Sequence, residues 1–381
     1  MKKMMSFCLI VWVLLVTSLN AQTTIQRSLY VSAKGDDNNN GRSEETPYKT
    51  LEKAMEVANA GVIKTITVIG IIEEKIIIEK RGRIEIYQNG ADEILITGKP
   101  DASEEERAII NTNISVSGKV RFTHIRLTGG IGGGYITMGA GVVVSNTGGD
   151  GISYVSTLIM TDDAAITSCA GRGVAGGGTV IMSENTSITS NGKGGISVGT
   201  VTMSGNAKVS NNNGSGIHCD ELTMSGNTEI NGNRNDDRFY GEGGGVYVNK
   251  SLTMSGKARI INNTSTDRGG GVYVDANCSI SGNATISGNI AKQGGGIYLF
   301  RGTITMEGGE ISGNKAEYGA GVYIYNNSST FNHKGGTITG NEADFVGGGV
   351  YVKSGAAYTA GDGKVIGNTS GDMGDDNIFR Q

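Results

Sequence analysis

Apolar and polar positions alternate in short bursts along most of the chain, and the bursts recur. A glycine followed by Ile or Val returns at Gly151, Gly173, Gly195, Gly216, Gly245, Gly271, Gly296, Gly321 and Gly349, at intervals of 22, 22, 21, 29, 26, 25, 25 and 28 residues. A second series runs in step, with Ile or Val three residues before Asn191, Asn212, Asn233, Asn263, Asn289, Asn314, Asn341 and Asn368. Cys169 holds that slot one repeat earlier. Between the two lies a third burst, read as LIMTD, VIMSE, VTMSG, LTMSG, SISGN and ITMEG. Segments of four or five residues with period two can bury only one face. Stacked as successive rungs, each can pair with its copy above and below. The pattern predicts an all-β, right-handed parallel β-helix with three strands per rung. Val246 and Val248 point inward in it, as do Leu252, Met254, Ala258 and Ile260. The Asn series is predicted to stack as a structural ladder at one corner.

The regular repeats, of about 21–30 residues, are assigned to 149–381. Less regular rungs are assigned to 62–148, from segments such as ITVIGII, KIIIEK, RIEIYQ and EILITG. Residues 22–61 read as a cap, with a strand, a polar loop and an amphipathic helix. Leu51, Ala54, Met55 and Ala58 share one helical face, and Gly61 is the stop. Residues 1–21 read as a secretory leader: Lys2 and Lys3, an apolar run to Leu19, and the small Ala21 before the cut. Cys8 lies inside that run, which argues against a lipid anchor. No later run approaches a membrane span, so an exported chain at the cell surface, outside the cell or in the periplasm is expected.

Composition sharpens the picture. The chain has 63 Gly, 2 Pro and 6% aromatic residues, without a collagen period. Net charge is −4, and −6 without Lys2 and Lys3, with no basic block, which excludes nucleic acid as a partner class. Cys169, Cys219 and Cys278 are scattered and odd in number, which argues against a disulfide framework.

The paired ISGN…GGGVYV pattern resembles repeats of the polymorphic outer membrane protein type, whose marks are a Phe-x-x-Asn and a Gly-Gly-Ala-Ile element. Ile stands for the Phe in Ile286 to Asn289 and in Ile311 to Asn314. The resemblance covers about Gly243 to Asn368. The opening YVSAKGDDNNNG…PYKTLEKA is similar to the start of many extracellular pectate-lyase-like β-helix proteins. Together these imply a bacterial surface protein, often an adhesin.

Glycan cleavage is the rival reading, and needs carboxylates or an acid/base pair converging on one groove. Asp162 and Asp163 are the one tidy pair in the regular rungs, and they replace Ser-Gly at a turn. His124, His218 and His333 fall on different rungs. The loop from Asp36 to Gly41 imitates a calcium loop, but Pro47 stands where the bidentate acid belongs, which leaves a capping turn. No cofactor, metal or catalytic residue is assigned. The alternating charges of Lys208, Glu229, Arg259, Thr285, Glu310, Thr337 and Lys364 read as register control.

Two features point to binding. Alternation places Tyr247, Tyr273, Tyr298, Tyr323 and Tyr351 in one outward line, where earlier rungs carry Ala175, Ser197 and His218. The turn between the Asn and Gly series widens from four positions (Asn191 to Gly195) to twelve (Asn233 to Gly245), then eight, seven, seven and eight. It brings Arg238, Phe239, Tyr240, Arg268, Tyr318 and Phe345 beside the tyrosines as flexible polar loops. The expectation is a non-enzymatic adhesion module docking a glycan or cell-surface protein across this strip. For the strip itself the alternative is a scaffold role, with rings one rung apart stacked on each other; for the chain the alternatives are a β-helix polysaccharide lyase or hydrolase, or a spacer without ligand.

Overall fold

The computed structural model describes residues 28–59, 65–72, 83–86, 94–102, 107–237, 242–371 and 374–381. The leader, the Gly61 stop and the KIIIEK segment lie outside the described residues. The described chain is a parallel β-solenoid. One sheet of 22 strands carries the Gly-series and LIMTD-type bursts of the rungs, and a sheet of 13 strands carries the burst that leads into the Asn series. Successive rungs stay in register, with Val246 against Val272, Tyr247 against Tyr273 and Ile260 against Ile286. The Gly-series and LIMTD-type bursts read from the sequence as separate strands. In several rungs they fuse, as in Ile196–Met203, Ile217–Met224 and Val246–Met254. The link is one or two residues long and bends without breaking the sheet. Val246, Val248, Leu252, Met254, Ala258 and Ile260 are all buried, as period two requires.

The cap follows its sequence signals. Helix α1 (Leu51–Asn59) buries Leu51, Ala54, Met55 and Ala58. Thr50 Oγ1 accepts from the Lys53 amide at 3.1 Å, a side-chain cap for an otherwise unpaired helix donor. The calcium-like loop serves that cap. Asp37 Oδ1 accepts from the Lys49 and Thr50 amides at 3.0 and 2.8 Å, and its Oδ2 accepts from the Thr50 hydroxyl at 2.9 Å.

The Asn ladder is continuous. At each step the Asn amide N–H and Nδ2 both donate to Oδ1 of the next Asn. For Asn263 and Asn289 these bonds are 2.9 and 3.1 Å, and for Asn289 and Asn314 they are 2.9 and 3.0 Å. Nδ2 also donates inward, from Asn289 to Ile260 O at 3.0 Å. The Cys169 amide joins by donating to Asn191 Oδ1 at 3.0 Å. Asn377, a residue the repeat pattern did not mark, ends the run by accepting from Asn368. Glycine is needed opposite the ladder because the rungs approach closely there. A Cβ on Gly271 would lie 2.6 Å from Gly296 O and 2.9 Å from Asn289 Nδ2.

The charged column behaves as register control. Glu229 pairs in register with Lys208 and Arg259, and the Arg259–Glu229 ion pair is 3.2 Å. Such half-exposed pairs contribute at most about 1 kcal/mol. Near the end of the coil His333 takes the inward slot that Met306 fills one rung earlier. It is fully buried, with Nδ1 3.0 Å from the Tyr358 hydroxyl. Burial holds its imidazole below the ordinary value of 6.5, against weaker help to the cation from the Gly336 and Gly335 backbone. The unfolded chain therefore takes up the proton first. This stability contribution is complete above the free imidazole pKa and is lost as pH falls from that value toward the folded one. The denaturant midpoint is expected to drop between about pH 7.5 and about pH 5.5, and to drop less in a His333→Met variant. Parallel pH profiles for the two proteins would rule out His333 as the source.

Candidate functional site

The five tyrosines leave the coil on the outward side of their strands and stack. Ring centroids are 4.8 Å apart for Tyr247–Tyr273, 5.3 Å for Tyr273–Tyr298, 5.2 Å for Tyr298–Tyr323 and 4.5 Å for Tyr323–Tyr351, with planes within 14°. Phe379 extends the column beyond Tyr351 at 5.2 Å. The outward line forms as alternation places it, but most of its rings are covered. Tyr273, Tyr298, Tyr323 and Tyr351 are 4, 0, 6 and 7% exposed, and only Tyr247 is half-buried. Burial accordingly pushes the phenols of Tyr273, Tyr298 and Tyr323 far up.

Two sets of neighbours provide the cover. Phe300 and Tyr325 stand two residues after Tyr298 and Tyr323, hence on the same face. They stack on each other at 5.4 Å and pack beside the column. The widened turns, read from sequence as flexible loops, also form parallel strands of their own. Arg234–Asn235 pairs with Thr264–Ser265, and Lys315–Tyr318 with Glu342–Val346. These fold over the rings, so Tyr318 and Val346 join a second apolar layer outside the coil. Arg268 lies with its guanidinium 5.4 Å from the Tyr298 ring centre, and pairs with Glu242 at 3.1 Å. Phe345 stacks on Tyr318 at 5.1 Å and stays 43% exposed. Arg238, Phe239 and Tyr240 lie outside the described residues.

The column is open at its N-terminal head. His218 stacks on Tyr247 at 4.5 Å, tilted by 34°, and is itself exposed. Its in-register neighbour on the other side is Ser197, then Ala175, so no ring of that column among the described residues covers that face. This head coincides with the step from four-position to twelve-position turns, and a cleft of about 630 Å³ opens there. Its floor includes Ser197, His218 and Tyr247. Arg172 and Lys193 border it from two narrow turns on the N-terminal side, and Asp236, Asp237 and Glu242 from the widened turn on the other. Although the residue is exposed, partial desolvation of the imidazole against Tyr247 first, and the nearby Arg172 second, keep it below its ordinary pKa, with Asp220 opposing. The repeat pattern gave His218 only as a tyrosine slot holding another residue. The gathering of these charges was not foreseen, because it depends on which turn overhangs which.

The other candidates are occupied in holding the coil together. Asp163 Oδ1 accepts from the Gly141 amide at 2.6 Å, and Asp162 Oδ2 from the Thr161 hydroxyl at 2.8 Å. His124 and His333 stand on rungs away from His218, at positions unrelated to the cleft. Cys169, Cys219 and Cys278 are buried free thiols, and burial raises Cys219 and Cys278 to about 12, so none is a poised nucleophile.

Fold and site together define a parallel β-helix with a covered aromatic wall and one ring-floored cleft at the head of that wall. No protein-family model matches the chain, and no curated protein matches it. Among the described residues no helix is long and apolar enough to cross a membrane.

Proposed function

We propose that the chain is an exported bacterial surface or secreted protein of the polymorphic outer membrane protein repeat type, acting as a non-enzymatic adhesion module for a glycan or protein. The observation that carries the reading is the cleft. A solenoid built only as a spacer has no need for a step in its wall, and insertions that break the repeat collect where partners bind. An exposed ring bordered by both signs of charge offers apolar area and hydrogen-bonding groups together, which suits glycan or protein contact. The docking site sits at the head of the column rather than along the covered tyrosines. A glycan array and cell-adhesion assay on the mature chain test the proposal. Binding to neither surface would refute it.

The same cleft gives the glycan-cleaving alternative one specific support, since His218, Asp236, Asp237 and Glu242 stand in one hollow. The acids are partly committed, however. Arg234 pairs with Asp236 at 2.6 Å and Arg268 with Glu242. Incubation with pectin, alginate or chondroitin is expected to yield no new reducing or unsaturated ends. Product formation that disappears in a His218→Ala variant would establish an enzyme instead.

A further inference from the structure

Resting on the binding-module reading, we infer that the cleft at the head of the aromatic column takes a saccharide ring bearing an anionic group, with the ring on His218 and the anion toward Arg172 and Lys193. The column has a repeat of 4.5 to 5.3 Å between ring centres, and its sequence of rings ends at His218 while its backbone slots continue through Ser197 and Ala175. The side chains in those slots are too small to fill a ring's place. A ligand ring laid over Ser197 continues the stack, with the apolar face of a pyranose against the imidazole and its hydroxyls toward the polar rim.

Charge decides what the ring carries. The acids of the rim have cationic partners, Arg234 for Asp236 and Arg268 for Glu242. Asp237 adds a third negative charge on the same side. Arg172 and Lys193 are exposed, and neither forms an ion pair among the described residues. The nearby Asp150 is turned to the backbone, where its Oδ1 accepts from the Arg172 amide at 2.7 Å. Arg172 and Lys193 are therefore the cations of the lining without an ion pair among the described residues, and they stand on the side of the ring slot away from the rim acids. An arginine and a lysine held on adjacent rungs suit a carboxylate or a sulfate. The volume, about 630 Å³, is ample for one ring and part of its neighbour.

The test is calorimetric titration of the mature chain with three oligosaccharides of similar length: hyaluronan (carboxylate only), carrageenan (sulfate only) and chitohexaose (neutral). At least one anionic oligosaccharide is expected to bind about tenfold or more tighter than chitohexaose. That affinity is expected to fall at least about tenfold both in His218→Ala and in the Arg172→Ala, Lys193→Ala double variant. All three positions are exposed, so each variant's denaturant midpoint should match the parent's and certify folding. Which anionic arm responds separates carboxylate from sulfate recognition. Equal binding of chitohexaose, binding of none of the three, or anionic binding that survives both folded variants would overturn the inference. The array and adhesion assays report separately. If they stay positive in the cleft variants, the adhesion reading stands while the cleft assignment falls.

Discussion

Replacing Asn289 with alanine is expected to lower the unfolding free energy by about 4–6 kcal/mol, seen as a lower denaturant midpoint with retained rung signature in circular dichroism. The side chain is fully buried and works in both directions. Its Oδ1 is the acceptor for the Asn263 amide N–H and for Asn263 Nδ2, and its Nδ2 donates to Asn314 Oδ1 and Ile260 O. After truncation Asn263 Nδ2 still reaches Ile230 O, but the Asn263 amide has no acceptor left. An orphaned buried donor costs about 1–3 kcal/mol, and the remaining lost bonds about 1 kcal/mol each. Asn191 provides the internal control. Above it stands Cys169, which has no side-chain amide and donates to Asn191 only through its backbone. Asn191→Ala therefore breaks fewer bonds, and a smaller loss is expected. Equal midpoints for the parent and the Asn289→Ala variant would show that the ladder decorates the corner without holding it.

How far this architecture can be read from residues depends on whether a feature repeats. The Asn corner, the inward valines and the cap face of Leu51, Ala54, Met55 and Ala58 follow from period and spacing, and they stand where the pattern places them. Asn377 escaped because its segment, NIFR, has lost the glycines that announce a rung, although Phe379 keeps the aromatic slot and pairs with Tyr351. The tyrosines show the sharper limit. Alternation states correctly that Tyr298 points away from the coil, but direction is not exposure. What covers Tyr298 is set by Phe300 and Tyr325 beside it and by turns that pair with one another, a relation between rungs rather than within one. The cleft was illegible for the same reason. Arg172 and Asp236 are 64 positions apart in the chain, on turns of different length, and only the stacking order brings them to one rim.

The covered column carries its own prediction, and the two changes at Tyr298 are expected to move stability in opposite directions. Tyr298 is fully buried between Tyr273 and Tyr323, with Tyr325 at 5.8 Å and the Arg268 guanidinium over its face. Among the described residues its hydroxyl has no hydrogen-bond partner. Tyr298→Ala removes a ring from the centre of a packed layer and leaves a void between two others. A loss of about 3–5 kcal/mol is expected, as for other buried aromatic truncations. Tyr298→Phe keeps every ring contact and deletes only the unsatisfied hydroxyl, whose burial without a partner costs about 1–3 kcal/mol. That variant is expected to be at least as stable as the parent. His218→Ala, at the exposed head of the same column, is expected to change stability by less than about 1 kcal/mol. Denaturant titrations of the three variants decide the point. A tyrosine line serving as an open docking strip would tolerate Tyr298→Ala as readily as His218→Ala. A second core outside the coil cannot, because its middle ring is held on both faces while the terminal ring is held on one.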